Sequence, residues 1–429
     1  MKKLSLYLLP LLLVSFAFFG CKDDNLFTQT PDTDKNLLWP ACDSTGHWGF
    51  INEKGEMVIP ATYLYAGRFS GERAIVTPQA GQMEVIDPEG NILYTFPENR
   101  LGDNYFSYGC CRIYRYNIYK EAEPVAMIDY NFNYIIQEDQ YKTIGPMTKD
   151  GLVTTTMGYV DKKGKLVIPR LDENSEYIFT SMKDFCDGIA AVSYTSDLMS
   201  NEGYRCGAIN KKGDLVIDTI YRSLLSVGSD RLLYQLDNQD VDWQYGLLDT
   251  RGNIITKPFI NTTTFFGDGG LMPTISDEEG LKWGYIDVNG EWRIPAKYEL
   301  AYPFCNGYAW VVDKYWKLID LQGNEILTLG LQMPAGTLFD FHNGLCLVYD
   351  IATKQYQYIN MKGEVIYSWP EKAMSLLSSA YQDPFSSSAY QAPFSNSAHD
   401  EMMLRLFEGT EYYPLALQAV QRSRSAQAK

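Results

Sequence analysis

Trp48-Gly49-Phe50-Ile51-Asn52-Glu53-Lys54-Gly55-Glu56-Met57-Val58-Ile59-Pro60 decides how this chain folds, because the chain is built from copies of it. A near copy runs from Trp283-Gly284-Tyr285-Ile286-Asp287 to Gly290 and on to Ile294-Pro295. Aligned on Asn52, the polar residue recurs at Asp87, Asp129, Asp161, Asn210, Asp249, Asp287, Asp320 and Asn360, which makes nine units. Three residues later stands a glycine: Gly55, Gly90, Gly164, Gly213, Gly252, Gly290, Gly323 and Gly363. The third unit has Phe132 there instead, between Asn131 and Asn133. A unit of about 39 residues carried through most of a chain indicates an array of stacked repeats.

Asx followed three residues later by Gly, between apolar alternating runs, is the chemistry of a tight antiparallel hairpin. The Asx side chain accepts backbone hydrogen bonds and the glycine takes a positive φ; in the third unit Asn131 or Asn133 is expected to do this, since Asn tolerates the left-handed region. Trp48, Met83, Val125, Met157, Cys206, Tyr245, Trp283, Trp316 and Tyr356 occupy the first position of the strand before the turn, a pattern that predicts a buried seam. After the turn come Met57-Val58-Ile59, Leu166-Val167-Ile168 and Leu215-Val216-Ile217, with Pro60, Pro169 and Pro295 expected to stop the strand. A second half-motif, Phe69-Ser70-Gly71 then Ala74-Ile75-Val76, returns around Phe185-Cys186-Asp187-Gly188 and Phe304-Cys305-Asn306-Gly307. It predicts a further strand that pairs with the first strand of the next unit.

The expected fold is all-β, a tandem array of about nine antiparallel hairpin or three-stranded repeats over residues 41–370. An elongated or curved solenoid-like stack is preferred to a β-propeller, because nine units exceed the roughly four to eight blades that propellers usually have and the unit spacing varies.

The Trp-Gly-aromatic-Ile-Asx-x-x-Gly pattern, with trailing Ile-Pro and Phe-Ser-x-Gly, resembles the bacterial WG-repeat (WG-containing repeat) proteins. Glu84, Ala126, Lys317 and Gln357 replace the glycine of the Trp-Gly pair, and the second and third units depart most from the pattern. The resemblance implies an architecture rather than an activity.

Of the 429 residues 45% are hydrophobic, and the formal net charge is -16. Such an acidic balance argues against nucleic acid and against electrostatic binding to anionic lipid. Residues 1–20, with Lys2-Lys3 and an apolar run to Phe19-Gly20, resemble a lipoprotein signal peptide, which implies that Cys21 becomes the lipidated, palmitate-bearing first residue. Lys22-Asp23-Asp24 resembles a signal that sends lipoproteins to the outer face of the outer membrane. Residues 21–40 read as a flexible tether, and the lipid on Cys21 would be the sole membrane anchor. In residues 371–429, Ser379–Ser386 is nearly repeated as Ser388–Ser395, a low-complexity segment; a helix follows at Met402, Met403, Leu406 and Phe407 with Asp400 as its cap. That helix is expected to cap the last repeat, the other reading being a peptide docked by a partner.

Catalytic chemistry is poorly represented. His47, His342 and His399 belong to no nucleophile or metal motif, and no phosphate-cradling loop occurs. The cysteines at 21, 42, 110, 111, 186, 206, 305 and 346 form no Cys-x-x-Cys pair and read as core residues. Nor do the Asx residues have calcium-loop spacing, so no metal and no cofactor is expected. Tyr105, Phe106, Tyr108, Trp243, Trp292 and Trp310 lie off the regular seam and are candidates for a ligand-facing surface. Asp43-Ser44-Thr45 and Asp218-Thr219-Ile220 resemble O-glycosylation acceptors, and the insert between Tyr194 and Gly203 is the expected place for specificity. These features together predict a non-catalytic, surface-displayed lipoprotein that acts as a protein-interaction scaffold. A glycan or cell-wall binder using exposed aromatics is the alternative, and an enzyme with an undetected site comes third.

Overall fold

The computed structural model describes residues 38–116, 122–171, 178–194, 205–236, 244–261, 264–276, 281–330, 332–335, 341, 344–371 and 373. Among them nine small antiparallel sheets succeed one another along the chain as the blades of a nine-bladed β-propeller. Blade 1 holds β1 (Trp39–Cys42), β2 (Trp48–Ile51) and β3 (Met57–Tyr63); blade 2 holds β4 (Tyr65–Ala66), β5 (Ala74–Gln79), β6 (Gln82–Ile86) and β7 (Ile92–Thr95). Blade 3 is β8 (Leu101–Gly102), β9 (Cys110–Tyr116), β10 (Ala122–Asp129) and β11 (Tyr134–Ile136), and blade 4 is β12 (Ile144–Met147), β13 (Leu152–Thr155), β14 (Gly158–Asp161) and β15 (Leu166–Pro169). Blade 5 comprises β16 (Ser181–Met182), β17 (Ile189–Tyr194), β18 (Arg205–Asn210) and β19 (Leu215–Tyr221), and blade 6 β20 (Ser223–Gly228), β21 (Arg231–Gln235), β22 (Tyr245–Asp249) and β23 (Ile254–Ile260). Blade 7 has β24 (Leu271–Ser276), β25 (Lys282–Asp287) and β26 (Trp292–Tyr298), and blade 8 β27 (Leu300–Ala301), β28 (Tyr308–Asp313), β29 (Tyr315–Asp320) and β30 (Glu325–Thr328). Blade 9 ends the ring with β31 (Gln332–Pro334), β32 (Leu345–Asp350), β33 (Gln355–Asn360) and β34 (Val365–Pro370).

The half-motif strand pairs as its position requires: β5 lies against β6, with Ala74 opposite Ile86. Each blade is therefore offset from the sequence repeat, taking its inner strands from one unit and its hairpin from the next. Of the two geometries open to a nine-unit array, the structure is the ring. Among the described residues no sheet borrows a strand from the other end of the chain, so the circle is closed by packing and by side-chain hydrogen bonds rather than by strand pairing. Tyr358 Oη donates to the Pro40 carbonyl at 2.9 Å and Tyr367 Oη to that of Cys42 at 3.3 Å. Trp369 meets Trp48 edge-on at 6.0 Å and also packs against Tyr356, Tyr358 and Tyr367. An open stack would leave both aromatic faces in water, whereas each such ring pair adds about 0.5–1.5 kcal/mol beyond its buried area.

The turn is built as its residues dictate. Asp287 Oδ1 accepts the amides of Asn289 and Glu291 at 2.8 and 3.1 Å, while Gly290 donates to the Asp287 carbonyl. The turn glycine also has a second partner, the preceding blade. Gly90 sits on Ile59, Gly213 on Ile168, Gly252 on Ile217, Gly323 on Ile294 and Gly363 on Leu327. Gly55 completes the circle, since a methyl group there would lie 2.3 Å from the Ile366 carbonyl oxygen of blade 9. In the third unit Phe132, not Asn131 or Asn133, takes the positive φ, at 65°. Its ring stacks on Tyr94 of blade 2 at 4.8 Å and 7°, so an aromatic contact stands in for the glycine's close approach.

The glycine of the Trp-Gly pair serves a different need. In blades 1, 5, 6 and 7 the outer strand bulges over it: Trp48 faces Tyr63 and Phe50 faces Ile59, so residues 60–62 oppose Gly49 alone. Where the glycine is replaced by Glu84, Lys317 or Gln357, the outer strand runs in regular register opposite Thr95, Thr328 or Ser368. Pro60 and Pro295 consequently lie inside β3 and β26, within the bulge of an edge strand, and only Pro169 ends its strand as expected. The seam has one clear exception, Met157, which precedes β14 and is 42% exposed. Residues 1–37 and 374–429, with the expected signal, tether and helix, lie outside the described residues.

Two predictions follow from this packing. Gly55→Ala should destabilise the fold by about 1–3 kcal/mol more than Gly188→Ala in urea unfolding, because both glycines have positive φ but only Gly55 would force its methyl into backbone. Equal losses would deny the contact between blades 9 and 1. The second concerns acid. Burial works against ionisation of Asp249 and Asp287, but hydrogen bonds from Asn253 and Arg251, and from Glu291, Asn289 and Arg293, outweigh it and hold both below the ordinary value of 3.8. A carboxylate with a lowered folded pKa contributes stability above its unfolded pKa, and that contribution disappears as pH falls through the folded one. Stability should therefore fall below about pH 4, and Asp249→Asn, the residue used at Asn52 and Asn210, should flatten that fall in a pH series of melts.

Candidate functional site

A blade that meanders outward puts its first and third links on one face of the ring and its second link on the other. The face with the Asx turns and the Phe-Ser-x-Gly turns is occupied by blade-to-blade bonding. Ser70 Oγ donates to the Phe106 carbonyl at 3.0 Å and Ser107 Oγ to that of Met147 at 3.3 Å. Gly188 N reaches Asp150 at 3.1 Å, Asp230 N reaches Asp187 at 2.9 Å, and Gly307 N reaches Asp268 at 2.8 Å. Asn306 Nδ2 donates to the Phe341 carbonyl at 3.0 Å. Their geometry is fixed by their neighbours.

The opposite face carries the second links of the blades. They range from the single residue Lys314 between β28 and β29 to residues 195–204 between β17 and β18, with 43–47, 117–121 and 351–354 at equivalent places. This loop face is the candidate site. The described residues at its rim are largely paired charges: Arg115 with Asp139, Lys282 with Glu299, and Lys317 with Asp313 and Glu325. Two of the residues that replace glycine are buried polar groups: Gln82 Nε2 donates to Glu84 at 3.0 Å, and Gln332 Nε2 to Gln357 at 2.6 Å. Exposed apolar groups are Tyr116 and Met157. The insert at 195–204, expected to carry specificity, belongs to this face by connectivity and lies outside the described residues.

One constellation on the loop face invites a catalytic reading. Thr45 Oγ1 lies 2.7 Å from Asp43 Oδ1 and 2.9 Å from His47 Nδ1. An ionised carboxylate can only accept, so the Thr45 proton goes to Asp43 and His47 Nδ1–H donates to Thr45. His47 thus cannot act as a base towards that hydroxyl, and the group is a turn. Burial opposes ionisation of Asp43, but bonds from Thr45 and His47 hold its carboxyl below its usual range. The buried thiols are also unsuited to nucleophilic work, since burial pushes Cys42 up to about 12 and Cys110 up to about 11. Among the described residues no group of His, Cys, Asp and Glu could hold a metal ion, and no helix is long and apolar enough to cross a membrane.

The aromatic candidates do not converge. Trp310 is 1% exposed and stacks on Phe341 at 6.0 Å, which makes it a core residue between blades 8 and 9. Phe106 is equally buried, while Tyr105 and Tyr108 are half-buried in the link from β8 to β9, with Tyr108 at φ 47°. Trp292 is exposed on the outer edge of blade 7, and Trp243 lies outside the described residues. The sequence missed the distinction between the two faces, because it appears only once the strands are ordered. Length variation of the second link was the signal that could have shown it.

The profile of the family described as "WG containing repeat" matches residues 48–77, 157–194 and 283–314. No curated protein matches the sequence. Among solved structures, one titled "Crystal structure of the eukaryotic initiation factor" is 11% identical, with a TM-score of 0.52, over 78% of this chain and 96% of that one. BamB from Moraxella catarrhalis is 12% identical over 70% and 94%, with a TM-score of 0.36. The first likeness is one of fold alone, and the second carries no argument. The chain is thus a β-propeller in which three stretches match the WG containing repeat profile.

Proposed function

We propose that this propeller is a non-catalytic interaction scaffold, held at the cell surface by a lipid on Cys21, which binds a partner protein through its loop face. The observation that carries the reading is the division of labour between the faces. The Asx links of the turn face keep a nearly constant length and seat on the preceding blade, whereas links on the loop face vary from Lys314 alone to residues 195–204. Links of variable length on one face are where a rigid scaffold can carry recognition. The scattered positions of Tyr105, Trp292 and Trp310 favour a protein partner over a glycan, which would call for rings in one groove.

The test is a pull-down with residues 22–370 as bait, run beside a glycan array. The expected result is a saturable protein partner that is lost when residues 197–203 are deleted while the melting temperature is unchanged. Saturable glycan binding without a protein partner would overturn the reading. The anchor has its own test: palmitate should label the chain in cells and fail to label Cys21→Ser.

A further inference from the structure

The chain is strongly acidic, but its charge is not evenly spread. At the two tip positions of the nine Asx turns stand Lys54, Lys162, Lys163, Lys211, Lys212, Arg251 and Lys362, against only Glu53 and Glu89 as acids. The concentration peaks on the neighbouring blades 4 and 5, where Lys165 adds to the two lysine pairs. The acids nearby are engaged within the fold. Asp161 accepts the amides of Lys163 and Lys165, Asp214 accepts from Asn210, Asp187 pairs with Lys149, and Asp150 pairs with Lys211 and accepts from Gly188. Lys162, Lys163, Lys165 and Lys212 are exposed.

Immediately after these tips the outer strands present apolar side chains to solvent. Leu166 and Val167 are 36% and 38% exposed on β15, and Leu215 and Val216 are 49% and 38% exposed on β19. Exposed apolar residues occur on outer strands elsewhere too, but beside one cation or none: Val58, Ile254 and Val365 follow tips with Lys54, Arg251 and Lys362 alone, and Ile92 and Leu93 of blade 2 follow Pro88-Glu89. Cationic tips beside protruding aliphatic groups fit a surface that is anionic outside and apolar beneath.

The path of the chain points the same way. In β1, Trp39 lies opposite Ile51, next to the Asn52 turn, and Cys42 lies opposite Trp48. The chain therefore enters the ring on the turn face and runs towards the loop face. We propose that the turn tips of blades 4 and 5 seat this propeller on an anionic lipid surface, with the loop face turned away from it. The direction of the tether rests on the lipid anchor proposed above, whereas the lipid contact itself does not. Overall charge argues against such binding only if the charge is uniform, and here it is segregated.

Residues 22–429 without the lipid are mixed with vesicles of phosphatidylcholine alone or with added phosphatidylglycerol, and binding is measured by co-sedimentation. The protein should bind only the anionic vesicles and be released by high salt. Lys163→Glu with Lys212→Glu should weaken binding at least about tenfold. Leu166→Ser with Leu215→Ser should weaken it at unchanged melting temperature, and Lys54→Glu should have little effect. Absence of binding to anionic vesicles, or binding indifferent to both double substitutions, would overturn the proposal. So would loss of a protein partner, rather than of lipid, in the charge-reversed protein. Since the lipid is absent here, failure of this test leaves the palmitate result on Cys21 standing, and the two readings fail separately.

Discussion

The ring depends on one repeated contact, the seating of each hairpin turn on the outer strand of the blade before it. A glycine at the third position after the Asx residue lets backbone meet backbone, as Gly164 does on the Ile135 carbonyl and Gly55 on that of Ile366. The contact therefore serves both the turn and the neighbour. Its cost is strict geometry, since any side chain at Gly164 would collide with main chain that cannot move aside. Phe132 shows that the contact can be kept by other means, because its ring lies flat on Tyr94.

Much of the local structure was legible in the sequence. Asx-x-x-Gly marked eight of the nine Asx hairpins, and the Phe-Ser-x-Gly half-motif marked the strand that crosses into the next unit, as β5 does with β6. Closure was not legible. The bond from Tyr358 to Pro40 joins residues 318 positions apart, and no local pattern encodes such a meeting. An open stack was preferred because smaller rings are commoner and because the unit spacing varies. Trp310 was misread for a related reason: its burial is created by Phe341 of the next blade, which the residues around Trp310 do not reveal.

The departures from the repeat also have physical causes. Gly49 and Gly284 are needed where Pro60 and Pro295 lead the outer strand in a bulge over them, while Lys317 and Gln357 stand where that strand is straight. What looked like degeneracy is a paired change on two strands. Variation in length remains on the opposite face, where links such as 43–47 and 351–354 are longer than Lys314 alone. The candidate site was legible only in part, as the single long insert after Tyr194, because the sequence does not show which links share a face.

Ring closure is tested most directly by distance. Spin labels at Lys54 and Lys362, equivalent exposed positions on blades 1 and 9, can be compared with labels at Lys212 and Arg251 on the adjacent blades 5 and 6. A closed ring predicts closely similar distance distributions for the two pairs. Nine sheets stacked in the open at about 10 Å spacing would separate the first pair by roughly 80 Å, and that result would contradict the account.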